Sequence, residues 1–586
     1  METKAPFLLF DDAKMQAEAR VYTDPVRILS CCEPEKVTET LNQIEDAIKE
    51  GFHVAGYLAY ELGYLLEDKL APLRPVNLHQ PLIWMGVFKT PAKLSNTEIM
   101  NLMKDWAQKD HTVSVPKATI TRDQYLSNVA TIQDHIRAGD VYQINYTFKQ
   151  NFDFSGSPKA LYAQLRGRQK ASYGAFIDTG DQHILSLSPE LFYETSGDLI
   201  RTRPMKGTAP RAPSPSQDQG QRHWLSHDEK SKAENLMIVD LLRNDLSRIS
   251  AVGSVNVTDL FSVETYPTLH QMTSGIEAKL LTDTSFADVI NALFPCGSIT
   301  GAPKVKAMGL IRSLEDDPRG VYTGAIGYAS LKDGARFNVA IRTLTIDSQG
   351  QGEMGIGSGI VYDSDPAQEW DECHLKAHFM TDKERPPFDL LETLKWDAKD
   401  GFCLLRLHLD RLESAAAYFG YPYNAQTITA ALDRAVDKQT TPQRVRLTLD
   451  DQGIANVTTE PLSDLGEMTF SISSQVINTN SPFTYHKTTN RSFYDEARAG
   501  QNTDEVLFMN GQGQLTEGSF TNLFVEKDGQ LITPPVSVGL LNGTLRQDLI
   551  DTGQAIEAPL TVQDLKAPNK VFCGNSVRGL VAARPL

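Results

Sequence analysis

TDKERPP, residues Thr381–Pro387, is the stretch that divides this chain in two. A charged run that ends in two prolines cannot continue a helix. Proline lacks the backbone N–H, and it disfavours helical backbone in the residue before it. About 380 residues precede the break and about 200 follow it, and a chain of 586 residues is too long for one hydrophobic core. The expected domains are therefore 1–380 and 386–586, joined by a linker short enough for the halves to pack together. Just beyond the break a new pattern starts at Phe388–Lys395, followed by the helix-like Leu407–Phe419. Before it, Asp123–Ala138 reads as an amphipathic helix and Glu234–Ile249 as a largely buried one. Residues 1–115 hold short apolar runs such as His53–Leu66, and Ala209–Arg222, rich in Pro, Ser and Gln, reads as a surface loop. No internal repeat is visible.

The formal net charge of −17 excludes a general nucleic-acid binder, which needs a basic footprint. An anionic substrate would have to be held locally, by Arg, Lys, backbone N–H or a metal, against that global field. Met1–Lys14 shows no basic segment leading into an apolar one, and no apolar run reaches the length of a bilayer span, so neither export nor membrane insertion is expected. Cysteines stand at 31, 32, 296, 373, 403 and 573 without a CxxC pair or a histidine cluster. Free thiols in a reducing, cytoplasmic compartment are the expectation.

Three segments of the first half carry unusual chemistry. In Asp363–Ala377 (DSDPAQEWDECHLKA), Asp365 is an N-cap followed by proline at the first helical position. Glu369 and Glu372 are then i, i+3 neighbours on one helix face. Such a pair is either a solvated acidic face or a set of hard oxygen ligands suited to Mg²⁺. Gly355–Gly359 (GIGSG) reads as a glycine-rich turn whose N–H groups can approach an anion, with Arg342 in Asn338–Thr343 (NVAIRT) as a carboxylate clamp. A plain hairpin turn reads the same way. Pro295–Lys304 (PCGSITGAPK) is a third turn-like segment.

In order along the chain stand Gly139–Asn145 (GDVYQIN), Leu187–Glu190 (LSPE), Arg201–Thr208 (RTRPMKGT), Ala233–Asp245 (AENLMIVDLLRND), Gly297–Lys304 (GSITGAPK), Tyr322–Tyr328 (YTGAIGY) and the acidic helix. Together they resemble the chorismate-utilising family that includes anthranilate synthase component I and aminodeoxychorismate synthase component I. The resemblance implies a large α/β (α+β) sandwich of layered antiparallel sheets around one deep site. It implies Mg²⁺ at Glu234, Glu369 and Glu372. It implies contacts to chorismate from Arg342, Tyr328, Thr300, Thr208 and the Gly355, Gly357 and Gly359 turn, with His270 in the pocket. Glu190 matches the acid that protonates the departing 4-hydroxyl.

Members of that family that add water carry a lysine where this chain has Gln143. Glutamine cannot act as a general base, so ammonia is the expected nucleophile. Lys206 stands where anthranilate synthases resemble the motif with alanine. Aminodeoxychorismate synthases of one class have lysine there, which attacks ring carbon 2 and directs ammonia to carbon 4. The other role open to Lys206 is pairing with a substrate carboxylate. Cys296 departs from the glycine common in its turn. No glutaminase-type cysteine nucleophile is found, so the partner implied is a separate glutamine amidotransferase subunit, or ammonia comes from solution.

The second half offers Lys487 in YHKTTNR, Glu517 in LTEGSFTNLF, and Gly543 and Thr544 opening a helix at Asn542–Ile550. A helix N-terminus presents free N–H groups to phosphate. With Arg411 in LRLHLDRLESA and Ser576 in CGNSVRG, these resemble the class IV aminotransferase family over nearly all of 386–586. That resemblance implies a smaller fold-type IV domain holding pyridoxal 5′-phosphate. Lys487 would anchor the cofactor and Glu517 would meet its ring nitrogen. Arg411, Gly543, Thr544 and Ser576 would sit near its phosphate. At about 200 residues this half is short for the family, so its smaller subdomain is expected to be trimmed or to rely on the first half. A homodimer through this domain is a further expectation.

The shared motifs do not separate branched-chain aminotransferases, D-amino-acid aminotransferases and aminodeoxychorismate lyase. The fusion does, because the first half would release the substrate of a lyase. The expected activity is therefore 4-aminobenzoate synthesis from chorismate and ammonia, with loss of pyruvate in the second step. The alternatives are an anthranilate synthase component fused to an aminotransferase, or to a non-catalytic module.

Overall fold

A computed structural model describes residues 5–14, 18–76, 78, 80–381, 387–463, 466–566 and 569–586. The chain forms two compact units. One is Met1–Ala209 with Trp224–Glu384, and the other is Pro210–His223 with Arg385–Leu586. The break at Thr381–Pro387 lies largely outside the described residues.

The first unit is built on two large sheets, of 11 and 10 strands. Strand Phe7–Asp11 (FLLFD) shows why they layer. It is buried throughout, and its alternate side chains enter different cores. Leu8 and Phe10 join Tyr57 and Trp84 of the other sheet. Phe7 and Leu9 join Trp106, Tyr125 and Val129 of the covering helices. The second sheet is covered on its outer face in the same way, with Val54 and Leu58 meeting Leu41 and Ile44 of helix Val37–Lys49. The result is helices outside and sheets inside.

Helix Arg122–Arg137 is capped by Thr121, and helix Glu229–Ser247 by Asp228, whose carboxylate accepts from Ser231 N–H. Helix Pro366–Thr381 starts as its sequence predicts. The Asp365 carboxylate accepts from the N–H groups of Ala367 and Gln368, both at 2.9 Å. Strand Gln143–Gly156 pairs on one side with Gly301–Ala302 and on the other with Gln351–Ile360. This places three of the sequence motifs side by side at one end of the larger sheet.

Ala209–Arg222, expected to be a loop, instead contains most of a helix, Pro215–His227. Its polar composition hides a start signal. Ser214 Oγ accepts from Gln217 N–H, Pro215 opens the first turn, and Asp218 turns back to take Arg211 and Ala212.

The second unit has a four-stranded sheet, ordered Gly401–Phe402, Leu390–Asp397, Gln443–Leu449 and Ala455–Pro461, all antiparallel. Helices Leu405–Phe419 and Ala425–Val436 cover it through Leu412, Ala416, Ile428 and Leu432. An eight-stranded mixed sheet follows, in which Met468–Val476 runs parallel to both Glu505–Met509 and Gly579–Pro585. No helix among the described residues is long and apolar enough to cross a membrane. All six cysteines are free.

Candidate active sites

The first site forms around Lys206, on strand Met205–Pro210 of the smaller sheet in the first unit. A Cβ added at Gly359 would lie 3.1 Å from Lys206 Nζ and 2.3 Å from Gln143 Nε2. Any side chain at 359 would therefore displace both groups, and glycine is what lets them approach. Gln143 is 1% exposed, and neither atom of its amide has a protein partner. Buried polar groups are seldom left so, and the amide is open to a ligand. Glu190 is 2% exposed with Oε1 unpartnered. Its backbone is fixed by Ser188 Oγ and by Val339 N–H. Burial pushes this carboxyl up to about 7, with Ser298 and Lys206 opposing. A carboxyl poised there can donate a proton at neutral pH.

Burial drives the Lys206 amine below its usual range. Glu234, Glu190 and Glu372 pull it back up, and Lys376 pushes it further down. Lys376 was not singled out from sequence. It pairs with Glu372 at 2.8 Å and donates to the Gly357 carbonyl at 3.0 Å. Its i, i+4 spacing from Glu372 was the available signal.

The three expected metal ligands lie within electrostatic reach of one another. The Glu234 carboxyl is raised by burial, with Glu369 and Glu372 adding to the rise and Lys206 and Lys230 opposing it. Glu369 accepts from Ser364 Oγ at 2.8 Å. Lys376 holds Glu372 below the usual carboxylate range. Among the described residues no three carboxylate, imidazole or thiolate groups close on one point at metal distance. The donor chemistry suits a hard cation, while ammonium groups supply the neutralising charge in the structure.

The remaining assignments fare unevenly. Gly355, Gly357 and Gly359 are not a turn. They lie inside strand Gln351–Ile360, paired with Lys149, Thr147 and Asn145. The glycines answer to crowding: the Tyr322 ring lies over Gly355, and the Tyr146 carbonyl against Gly357. Tyr328 is placed elsewhere. Its ring packs against Phe10 and Tyr22 beneath the Arg20 guanidinium, in a pocket also lined by Ser172 and Arg336. The tyrosine beside the glycine strand is Tyr322, at the other end of the same motif. Arg342 has a left-handed backbone (φ 50°), and its Nη1 donates to Gln169 Oε1 at 2.9 Å. Thr300 is fully buried and its hydroxyl donates to the Cys296 and Gly297 carbonyls, so it shapes the turn. His270 is buried, with Nδ1 3.0 Å from Thr265 Oγ1. Thr208 is exposed, its hydroxyl directed to Gln271 Oε1. Cys296 is buried and its thiol is pushed up to about 12, chiefly by burial.

The second site gathers around Lys487. Its backbone is fixed by the Leu391 N–H, which donates to the Lys487 carbonyl, and by the bridge between Leu390 and Thr488. Burial, then Arg411 and Arg491, lower its amine to about 7, against Glu392 and Glu517. Glu517 is pushed up to about 7 by burial. Its Oε1 accepts from the Tyr494 hydroxyl at 2.8 Å and its Oε2 from Leu541 N–H at 3.0 Å. A buried carboxyl so oriented fits a protonated ring nitrogen.

Helix Thr544–Asp551 begins at Gly543 with no side-chain cap, which leaves its first N–H groups for an anion. A Cβ at Gly543 would fall 1.8 Å from Asn522 Oδ1. Around this turn stand two groups that sequence reading missed, Glu392 and His408. Arg411 grips Glu392 with Nε at 2.8 Å and Nη2 at 2.6 Å, and its Nη1 donates to the Asn542 carbonyl at 3.2 Å. His408 Nδ1 lies 2.6 Å from Glu392, while its Nε2 faces Ser576 Oγ at 2.8 Å and Thr544 Oγ1 at 3.2 Å. Against the cost of burial, Arg411 and His408 hold Glu392 down to about 2. The i, i+3 spacing of His408 and Arg411 was the sequence signal. The residues present fit pyridoxal phosphate: Lys487 would anchor it, Glu517 would meet its ring nitrogen, and the Gly543–Thr544 turn with Arg411 and Ser576 would hold its phosphate.

Comparison with known proteins assigns a family to each part of the chain. Residues 5–382 match the family described as chorismate binding enzyme, and residues 389–585 match amino-transferase class IV. Aminodeoxychorismate synthase component 1 of Escherichia coli (strain K12) is 36% identical over 341 residues, 55% of this chain and 75% of that protein. The Klebsiella aerogenes protein of the same name is 41% identical over 262 residues, covering 45% of this chain and 58% of its own length. A crystal structure of anthranilate synthase component I from Streptococcus pneumoniae TIGR4 aligns with a TM-score of 0.52 at 25% identity. It covers 65% of this chain and 93% of that one. The chain belongs to the chorismate binding enzyme family, and an amino-transferase class IV domain follows in the same polypeptide.

Proposed function

We propose that this chain makes 4-aminobenzoate from chorismate in two steps, one in each unit. The observation that carries the first step is the approach of Lys206 Nζ to Gly359 beside Gln143, within the field of Glu190. Lys206 attacks ring carbon 2, the double bonds shift, and the 4-hydroxyl leaves as water with a proton from Glu190. Ammonia then adds at carbon 4, the double bonds shift back, and Lys206 departs. The product is 4-amino-4-deoxychorismate. Gln143 supports ammonia over water as nucleophile, since an amide cannot deprotonate water. Glu234, Glu369 and Glu372 would hold Mg²⁺, which neutralises a substrate carboxylate. Ammonia is supplied by a separate glutamine amidotransferase, in keeping with relatives named as a component 1, and both steps take place in the cytoplasm.

The second step uses Lys487, Glu517 and the Gly543–Thr544 turn. Pyridoxal phosphate, when bound, supplies an electron sink. Glu517 would meet its ring nitrogen, and Arg411, Ser576 and Thr544 would hold its phosphate. Lys487 as a neutral amine takes the carbon-4 proton. Enolpyruvate leaves the neighbouring carbon, becomes pyruvate, and the ring becomes aromatic. Incubation with chorismate, ammonium, Mg²⁺ and pyridoxal phosphate tests the reading. It should yield 4-aminobenzoate and pyruvate in equal amounts. Anthranilate as the product would overturn the first step, and aminodeoxychorismate as the end product would overturn the second.

A further inference from the structure

Pro210–His223 lies in sequence within the chorismate-binding half, yet it belongs to the compact unit that carries Lys487. Its contacts there are specific. Arg211 Nε donates to both carboxylate oxygens of Asp218, at 2.8 and 2.9 Å. Its Nη2 donates to the Tyr418 carbonyl at 3.0 Å, and its guanidinium lies 4.1 Å from the centre of the Tyr418 ring. The Arg211 side chain is 6% exposed and that of Asp218 12%. A buried, forked ion pair stacked on an aromatic ring has one geometry, unlike a surface pair that many rotamers satisfy.

The ring that Arg211 covers leads to the cofactor lysine. Tyr418 and His486 are 4.3 Å apart, centroid to centroid, and Phe419 lies 5.0 Å from His486. His486 is 4% exposed and its Nε2 has no partner. Burial, then the nearby Arg211 charge, lower this imidazole to about 4, so it packs as a neutral ring. His486 immediately precedes Lys487, at a bend that follows the helical turn Pro482–Thr484, and its N–H donates back to the Pro482 carbonyl at 3.0 Å. The His486 ring rests on Tyr418, beneath Arg211, while the next side chain along, Lys487, lies in the field of Arg411, Arg491, Glu392 and Glu517. The second site's mechanism uses none of Arg211, Asp218, Tyr418 or His486.

We propose that Pro210–His223 is a working part of the cofactor-binding unit, and that Arg211 is a positioning residue for Lys487, acting through Tyr418 and His486. This rests on the reading of Lys487 as the cofactor anchor. In this chain the class IV half is completed by a segment encoded in the other half. An amine that must meet an aldehyde carbon and later a substrate proton tolerates little displacement. A stack behind the peptide that carries it supplies that restraint.

The test uses the full-length chain, carrying Arg211→Ala, Arg211→Lys or Asp218→Asn. In the unsubstituted protein, pyridoxal phosphate should give a visible band that borohydride fixes on Lys487. If that band is missing, the reading of Lys487 fails, whatever Arg211 does. Given the band, Arg211→Ala should weaken cofactor affinity about tenfold, the loss expected for a charged hydrogen-bonding group. It should also shift the pH midpoint of the band, and lower kcat on supplied aminodeoxychorismate with KM little changed. Hydrogen exchange should quicken at residues 485–489. Arg211→Lys should restore only part, because it keeps the charge and loses the fork. Asp218→Asn, which keeps the shape of the segment, provides the same readouts should Arg211→Ala fail to fold. A variant with a lowered melting temperature but unchanged cofactor affinity, band midpoint and kcat would overturn the positioning role.

Discussion

Lys206 and Lys487 are the same residue type, both half-buried, and desolvation pushes both toward the neutral amine. Their neighbours differ in sign. Around Lys206 stand Glu234, Glu190 and Glu372, which restore its charge, with Lys376 opposing them. Around Lys487 the arginines Arg411 and Arg491 add to burial, and its amine falls to about 7 against the opposition of Glu392 and Glu517. The same nitrogen is thus tuned by the company it keeps. Lys487 is free to act as a base near neutral pH. On the proposed mechanism Lys206 gains nucleophilicity when those carboxylates are engaged by a cation.

The comparison breaks most visibly at Lys206. Lys206→Ala should reduce 4-amination at least about a hundredfold, on the order of what a reacting group contributes, and the second unit should still process supplied aminodeoxychorismate. Chorismate without ammonia should leave an adduct on the peptide carrying Lys206, detectable by mass. Glu190→Gln comes next. An acid at about 7 is protonated below that pH and lost above it. The kcat/KM for amination should therefore fall as pH rises through about 7, and the variant should lose that limb together with most of its rate. Glu372→Gln removes charge and keeps bulk. It should raise the Mg²⁺ concentration needed for half-maximal amination roughly tenfold, and normal Mg²⁺ dependence would remove Glu372 from the metal set. The smallest effect sharpens the contrast directly. In cofactor-free protein, Lys487 should react with an amine reagent at a rate that levels off above roughly pH 8, whereas an ordinary lysine keeps accelerating toward pH 10.

Much of this was legible in the sequence, because the motifs name residues whose chemistry is distinctive. Lys206, Glu190, Lys487 and Glu517 were singled out that way, and the structure brings Glu190 near Lys206 and Glu517 near Lys487. What stayed hidden was set by packing. The glycines at 355, 357 and 359 read as a turn, because sequence cannot show Tyr322 and Lys206 pressing on a strand. Tyr328 and Tyr322 stand at the two ends of one motif, and only the structure shows that Tyr322 is the one against the glycine strand. Glu392 and His408 look like ordinary strand and helix residues until Arg411, Thr544 and Ser576 gather around them. The helix Pro215–His227 hid behind a polar composition, since its stabilising contacts are Asp218 to Arg211 and Arg211 to Tyr418, the last far along the chain.

The central claim is that two lysines in one chain perform consecutive steps, and Lys487→Ala tests it most directly. The variant should lose the borohydride-fixable visible band. It should still consume chorismate and ammonium, since Lys206 and Glu190 are untouched, and it should accumulate aminodeoxychorismate. Formation of 4-aminobenzoate should drop about a hundred- to ten-thousandfold, the usual loss with a general base, and a separately added lyase should restore it. Undiminished 4-aminobenzoate from Lys487→Ala would contradict the account.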